Sequence, residues 1–360
     1  MKHHVLKFSI FFCALLLVGQ GCVSGGAQEP KTSGPGGIFV SLDKAETWQP
    51  IASFPTLEGV MNLADTSVSK LVSDPHNEKT HYWLSRGKGL FITHNNGKSW
   101  YQEEGAFSTG FVYGLVVHPK EPCTLYAVKR TALYQSVDCA RSWSMVYKEE
   151  AGDRLKSVAI DSGFPHSTYL ATEKGRVLVS EDRGISWQTA RRFRNAKLVG
   201  LHADPSTPRR LYLTTRKRGI FVTEDGGATW KSLFDEKTTK LPKVLEYRRF
   251  LIHPQDHNVL FYVSTYGILR SDNFGESWEK ITLLHEPGSV KIYAFTVDPK
   301  NTKELYYTAT VGVKSTLYKS VDGGVSWITK QLPSGQIPTM LQTHRTEEGW
   351  VYLGFTIPAQ

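Results

Sequence analysis

Short apolar segments rich in Val, Leu, Ile, Tyr and Phe recur along the chain, separated by brief polar stretches. Their apolar positions alternate with polar ones, and β-branched and aromatic residues dominate, so they read as half-buried β-strands. One set ends at Asp-Pro or His-Pro, as in Leu71–Pro75 (LVSDP), Leu115–Pro119 (LVVHP), Leu201–Pro205 (LHADP), Phe250–Pro254 (FLIHP) and Phe295–Pro299 (FTVDP). A second set follows, such as TLYAVK, RLYLTT and ELYYTA, and a third, such as GLFIT, ALYQS and GIFVT. No amphipathic run of helical period extends beyond about two turns.

The third strand of each set runs into an octapeptide of the form Ser/Thr-x-Asp/Asn-x-Gly/Ala-x-Ser/Thr-Trp. Seven copies begin at Ser41, Thr93, Ser136, Ser180, Thr223, Ser271 and Ser320, spaced 52, 43, 44, 43, 48 and 49 residues apart. Such a period marks a repeat architecture. A spacing near 45 residues suits a unit of four strands of about 5–6 residues with their connections. Only Gly37–Val40 precede the first octapeptide, and the C-terminal TMLQTHRTEEGWVYLGFT carries strands but no octapeptide. The two ends therefore complete one shared sheet. The predicted fold is all-β: a seven-bladed β-propeller over residues 37–360 with four-stranded antiparallel blades, its ring closed by N- and C-terminal strands in one blade, which removes open sheet edges.

These octapeptides resemble the Asp-box, or BNR, repeats of sialidases, sortilin-type receptors, xyloglucan-degrading glycosidases and photosystem II assembly propellers. The resemblance covers residues 37–356 and implies the propeller; it carries little about activity, because unrelated functions share the fold. The residues of the box suit a structural task. Asp43, Asn95, Asp138, Asp182, Asp225, Asn273 and Asp322 can accept backbone N–H bonds two residues on. The fifth position is Gly where φ is positive, so Ala45 and Ala140 should be slightly strained. Trp48, Trp100, Trp143, Trp187, Trp230, Trp278 and Trp327 can pin each hairpin to its neighbour.

The N-terminus changes the picture from a plain globular domain to an exported one. Lys2 and Lys7 precede an apolar run from Phe8 to Val18, too short to span a bilayer and of the length of a signal-peptide core. It ends in Val18-Gly19-Gln20-Gly21-Cys22, which resembles a bacterial lipobox, with Cys22 as the lipidated residue and residues 1–22 as the signal; ordinary cleavage after Ala27 is the competing reading. Residues 23–36 read as a Gly/Ser/Pro-rich tether. The implied location is the cell envelope, at the outer membrane or cell surface, with the lipid as the membrane contact. Cys123 and Cys139 lie symmetrically about a hairpin centred near Thr131, so they should face each other and form a disulfide in an oxidising compartment. They have no nearby His spacing for zinc, and neither metal nor cofactor is expected.

The net charge of +9, or +7 without Lys2 and Lys7, should gather on one face. The turns after the second strands bear Arg86, Lys88, Lys129, Arg130, Lys174, Arg176, Arg216, Lys217 and Arg218, and a loop after a fourth strand leads to Arg248 and Arg249. Such a field favours an acidic protein or anionic glycan. No motif points to nucleic acid, and a monomer is expected. The resulting expectation is a non-enzymatic binding or assembly scaffold for protein or glycan partners. The alternative is a sialidase-like glycoside hydrolase. An Arg-Ile-Pro signature is absent, and the loop carboxylates Glu149, Glu150, Asp153 and Glu286 are the candidates for the pair such chemistry needs.

Overall fold

The computed structural model describes residues 32–150 and 152–358. They form seven four-stranded antiparallel sheets and one extra two-stranded hairpin. The innermost strands of blades 1 to 7 are Val68–Ser73, Gly114–Val117, Leu155–Ile160, Leu198–Ala203, Tyr247–Ile252, Lys291–Asp298 and Ile337–Thr343. In blades 1 to 6 the chain runs from the inner strand outward through consecutive hairpins. The predicted seven-bladed propeller is the observed fold. The sole helix among the described residues is the short Glu236–Thr239, capped by Asp235.

Blade 7 joins the two ends of the ring. Gly37–Ser41 pairs antiparallel with Val351–Thr356, in register from Gly37 opposite Phe355 to Ser41 opposite Val351. Along its seam with blade 1, beside an apolar cluster, the hydroxyls of Thr339 and Thr356 both donate to the Val68 carbonyl at 3.0 Å. The last residues of the expected tether belong to this seam. Gly36 N–H donates to the Ala64 carbonyl at 2.6 Å, and the Gly34 carbonyl accepts from Gln336 at 3.0 Å.

Each octapeptide is a turn, but its hydrogen bonds reach further than a two-residue Asx-turn. In the first, Asp43 accepts from the Thr47 amide at 2.9 Å and the Thr47 hydroxyl at 2.5 Å, four residues on. The Ser41 hydroxyl accepts from the Ala45 amide at 2.8 Å. Two successive residues, not one, take positive φ, as at Arg183 and Gly184 or Cys139 and Ala140. A pair of left-handed residues reverses the chain within the box.

The tryptophan that ends each box sits between two blades. Seven hydrophobic clusters fill the ring, and each contains one box tryptophan with residues of its own blade and the one before. Trp100 is the most enclosed, at 2% exposure. It packs on Trp83 with ring centroids 5.4 Å apart and donates to the Ile51 carbonyl at 2.8 Å. The extra hairpin, Ser53–Thr56 with Gly59–Asn62, lies beside it.

Two consequences are measurable. Trp100→Ala should cost about 3–5 kcal/mol in urea unfolding, and Trp327→Ala, at a less enclosed site, distinctly less. Gly275→Ala should destabilise more than Gly184→Ala. Both glycines have φ near +90°, but a Cβ at Gly275 would meet Leu233 Cδ1 at 2.6 Å, whereas the nearest neighbour at Gly184 is at 3.6 Å.

Candidate functional site

Most buried acids and histidines are occupied by the backbone of the turns between first and second strands. Asp74, Asp161, Asp204 and Asp298 accept amide N–H bonds two or three residues on. His118, His253 and His344 do the same work in the other three blades through Nδ1. The opposite nitrogen of His118 and of His253 donates to a carbonyl of the next blade, at 3.2 Å to Pro165 and 3.0 Å to Asp298. Accepting at Nδ1 while donating at Nε2 requires the neutral ring, a tautomer assigned from its partners. Burial is the main cause holding these three rings below the usual histidine pKa.

Of the four loop carboxylates singled out as candidates for a catalytic pair, two are committed. Glu149 is buried, pairs with Arg176 and accepts from the Tyr147 hydroxyl at 2.8 Å. Asp153 is buried and accepts from the Lys174 amide at 3.0 Å. Glu150 and Glu286 are exposed and belong to different blades. Glu103, also buried, binds the Gly105 and Phe107 amides at 2.9 and 2.6 Å.

A groove of about 1180 Å³ lies on the outer side of blades 1 and 2. Phe54, Leu57, Glu58 and Met61 of the extra hairpin form one part of its wall; Tyr101, Glu104 and Trp143 contribute from the body of the ring. Tyr101 is held by its hydroxyl against His94 Nε2 at 2.9 Å. Trp143 is braced edge-on by Phe107, centroids 4.8 Å apart. Leu57 and Val60 at the hairpin are exposed. Nothing in the repeat pattern signalled this groove except the long interval of 52 residues between the first two boxes, which accommodates the hairpin.

The predicted basic residues divide. Lys88 pairs with Asp65 at 2.6 Å, Lys129 donates to the Ala106 carbonyl at 2.6 Å, and Arg176 pairs with Glu149. Arg218 donates to the Arg194 carbonyl at 3.1 Å. Arg130 takes a turn conformation with φ 55°, and Lys174 and Lys217 are exposed. Arg249 lines a cavity on the ring axis. Arg248 lies over the Tyr293 ring at 5.9 Å, and the positive charge of Arg86 acts on Arg249. Lys70 and His202, missed from the sequence, line the same cavity as Arg249 from inner strands, and the charge of Lys156 acts on Lys70. Cys123 and Cys139 form a disulfide, Cα atoms 3.8 Å apart. Cys22, the signal and most of the tether lie outside the described residues. No helix among the described residues is long and apolar enough to cross a membrane.

The Sortilin-Vps10 family model matches residues 175–267. A xyloglucanase from Paenibacillus sp is 27% identical over 270 residues, covering 70% of this chain and 20% of its own. The chain thus spans about a fifth of the length of the curated relative it matches. Among solved structures, the GH74 xyloglucanase of Xanthomonas campestris is similar over 86% of this chain and 52% of its own, with 15% identity and a TM-score of 0.63. YCF48 bound to D1 peptide is similar over 82% of this chain and 94% of its own, with 16% identity and a TM-score of 0.59.

This is a seven-bladed propeller with sequence similarity to a xyloglucanase. That match overturns the expectation of a non-enzymatic scaffold and favours the glycoside hydrolase alternative. The physical reason for the error is that the box motif, which dominated the sequence, serves the turns and says nothing about the groove.

Acid should act on the fold in two stages. Burial depresses the turn histidines, so their contribution is present above about pH 6.5 and is lost as pH falls toward their lower folded values. Asp43, Asp138 and Asp182 are held at about 2, against an ordinary 3.8, chiefly by the hydroxyls of Thr47, Ser142 and Ser186. Their contribution is present above about pH 4 and lost as pH falls to about 2. Urea midpoints measured against pH should show both slopes; His253→Asn should flatten the first and Asp182→Asn the second.

Proposed function

We propose that the chain is a glycoside-hydrolase-like propeller that acts on a β-glucan of the xyloglucan class along the groove beside the extra hairpin. The observation that carries this reading is the 27% identity to a xyloglucanase over 270 residues. The groove supports it. Phe54, Tyr101 and Trp143 offer apolar ring surface with polar edges, suited to the C–H faces of pyranose rings. Glu58 stands on the hairpin and Glu104 on the loop beyond the blade 1 outer strand, both lining the same groove.

Hydrolysis of a glycosidic bond needs two carboxyl groups with different tasks. In this reading one of Glu58 and Glu104, protonated, gives its proton to the bridging oxygen as the bond to the anomeric carbon breaks. The other, ionised, either takes a proton from the attacking water or bonds the anomeric carbon until water displaces it. Neither glutamate is buried, so both are open to a polymer entering from the rim.

The cellular setting belongs to the same proposal. Export with a lipid on Cys22 places the groove at the cell envelope, facing external polysaccharide. The Cys123–Cys139 disulfide supports export, because such bonds persist in oxidising compartments.

Reducing ends released from xyloglucan by the purified chain test the reading. Glu58→Gln and Glu104→Gln should each lower the rate by about 10²-fold or more, and Tyr101→Ala should raise KM. Absence of release by the wild type, or undiminished rates in both glutamate variants, defeats it.

A further inference from the structure

Two adjoining cavities of about 480 and 400 Å³ lie on the ring axis and share Lys70, His202, Phe250 and Leu251 as walls. The rest of the lining is largely apolar, including Leu115, Val158, Leu201, Phe295 and Met340. Six of the seven inner strands have a register irregularity close to their first residues, as between Val68 and Lys70, Leu155 and Ser157, and Tyr247 and Arg249. Such bulges re-aim side chains. They occur where Lys70, Lys156, Arg248 and Arg249 enter the ring.

The cations at this end are positioned by neutral groups. Lys70 Nζ donates to the Tyr113 carbonyl at 3.4 Å, and Lys156 Nζ lies 4.5 Å from the Tyr113 ring centroid. Arg249 donates through Nε to the Tyr293 carbonyl at 2.8 Å and through Nη2 to the Thr339 carbonyl. His202 stacks near Phe250, centroids 5.2 Å apart, and its Nε2 is buried without a hydrogen-bond partner. The one acid lining either cavity is Asp204. Its carboxylate is turned to its own loop, where it accepts from the amides of Ser206 and Thr207 and lies 3.9 Å from Arg210. The nearest relief is Glu173, whose charge acts on Lys156 alongside those of Arg154 and Arg216.

A cluster of positive charge within apolar walls, with no committed counter-charge, is the arrangement that attracts an anion. We propose that the axial channel is a binding site for a small multiply charged anion, of the phosphate or polycarboxylate class, held by Lys70, Arg249 and His202. The site is separate from the rim groove and does not depend on the glucan reading.

The titration of the cluster agrees. The protein walls around it, and then the charges of Arg249 and Lys156, bring Lys70 down to about 8, although its side chain opens to the water of the channel. Burial, and then Lys70, bring His202 down to about 3. An anion between them opposes both like-charge effects, so its binding favours the protonated lysine. Tyr247, on the blade 5 inner strand, and Arg86 are the other titratable groups acting on Arg249.

Isothermal titration of the full chain with inorganic phosphate, citrate, acetate and glucose tests the site. Phosphate or citrate, or both, should bind, and whichever binds names the class; acetate should bind at least about tenfold more weakly and glucose not at all. Lys70→Met should weaken binding about tenfold or more, while Glu58→Gln, in the rim groove, leaves it unchanged. Wild-type affinity should fall as pH rises through about 8. Failure of both polyanions to bind the wild type overturns the proposal. So does unaltered binding by a folded Lys70→Met variant, or acetate binding equal to citrate.

Discussion

The ring holds together because each box tryptophan is a shared part. It ends the hairpin of its own blade and fills space against the blade before, so no sheet can bury its faces without its neighbour. Seven clusters, each with one such tryptophan, follow from that. The box turn exists to deliver the indole to that position. Two consecutive left-handed residues bring the chain round sharply, and the hydroxyl and carboxylate of the box satisfy the amides that the reversal leaves unpaired. The non-covalent closure lies inside blade 7, between Gly37–Ser41 and Val351–Thr356, and the blade so closed packs on blade 1 with threonine hydroxyls donating across to Val68.

The same economy governs the polar residues. A buried carboxylate or imidazole costs free energy unless its bonds are made, and here the bonds are made to turn amides. Aspartate and neutral histidine are equivalent in that setting because each presents an acceptor to N–H groups two or three residues on. The equivalence explains why Asp-Pro and His-Pro alternate in the sequence without any change in the fold. It also removes Asp74, Asp161, Asp204, Asp298 and three histidines from the groups able to do chemistry. What remains is at the rim, where Glu58 and Glu104 share a groove with aromatic rings, and on the axis, where cations lack acids.

The architecture was legible because it is written seven times. One box would have been weak evidence; seven in register, with a single strand before the first box and strands without a box at the C-terminal end, specify the number of blades and the closing sheet. The facing of Cys123 and Cys139 was legible for a local reason, since symmetry about a hairpin is a property of sequence distance. The sites were not legible, because they depend on what repeats do not share. Lys70 reads as one polar residue in an alternating strand, and only the convergence of inner strands on an axis sets it beside Arg249 and His202. The basic turns were visible, but their partners were not: Arg176 is answered by Glu149, Lys88 by Asp65 and Lys129 by a backbone carbonyl.

A repeat fold gains particular chemistry by departing from its repeat, and the departures here are few. The longest interval between boxes contains the hairpin that builds one wall of the rim groove. That hairpin also buries Trp100 more completely than any other box tryptophan, so the feature that creates the groove strengthens the blade that carries it. On the axis the departure is compositional: inner strands that elsewhere carry Ala294 or Met340 at the equivalent place after the bulge carry Lys70 and Arg249. The rim groove and the axial cavities share no lining residue, so the two sites can vary independently of each other. The groove is nonetheless tied to the tryptophans that hold the blades together, since Trp143 is one of its walls and Phe54 of the hairpin packs on the cluster around Trp100.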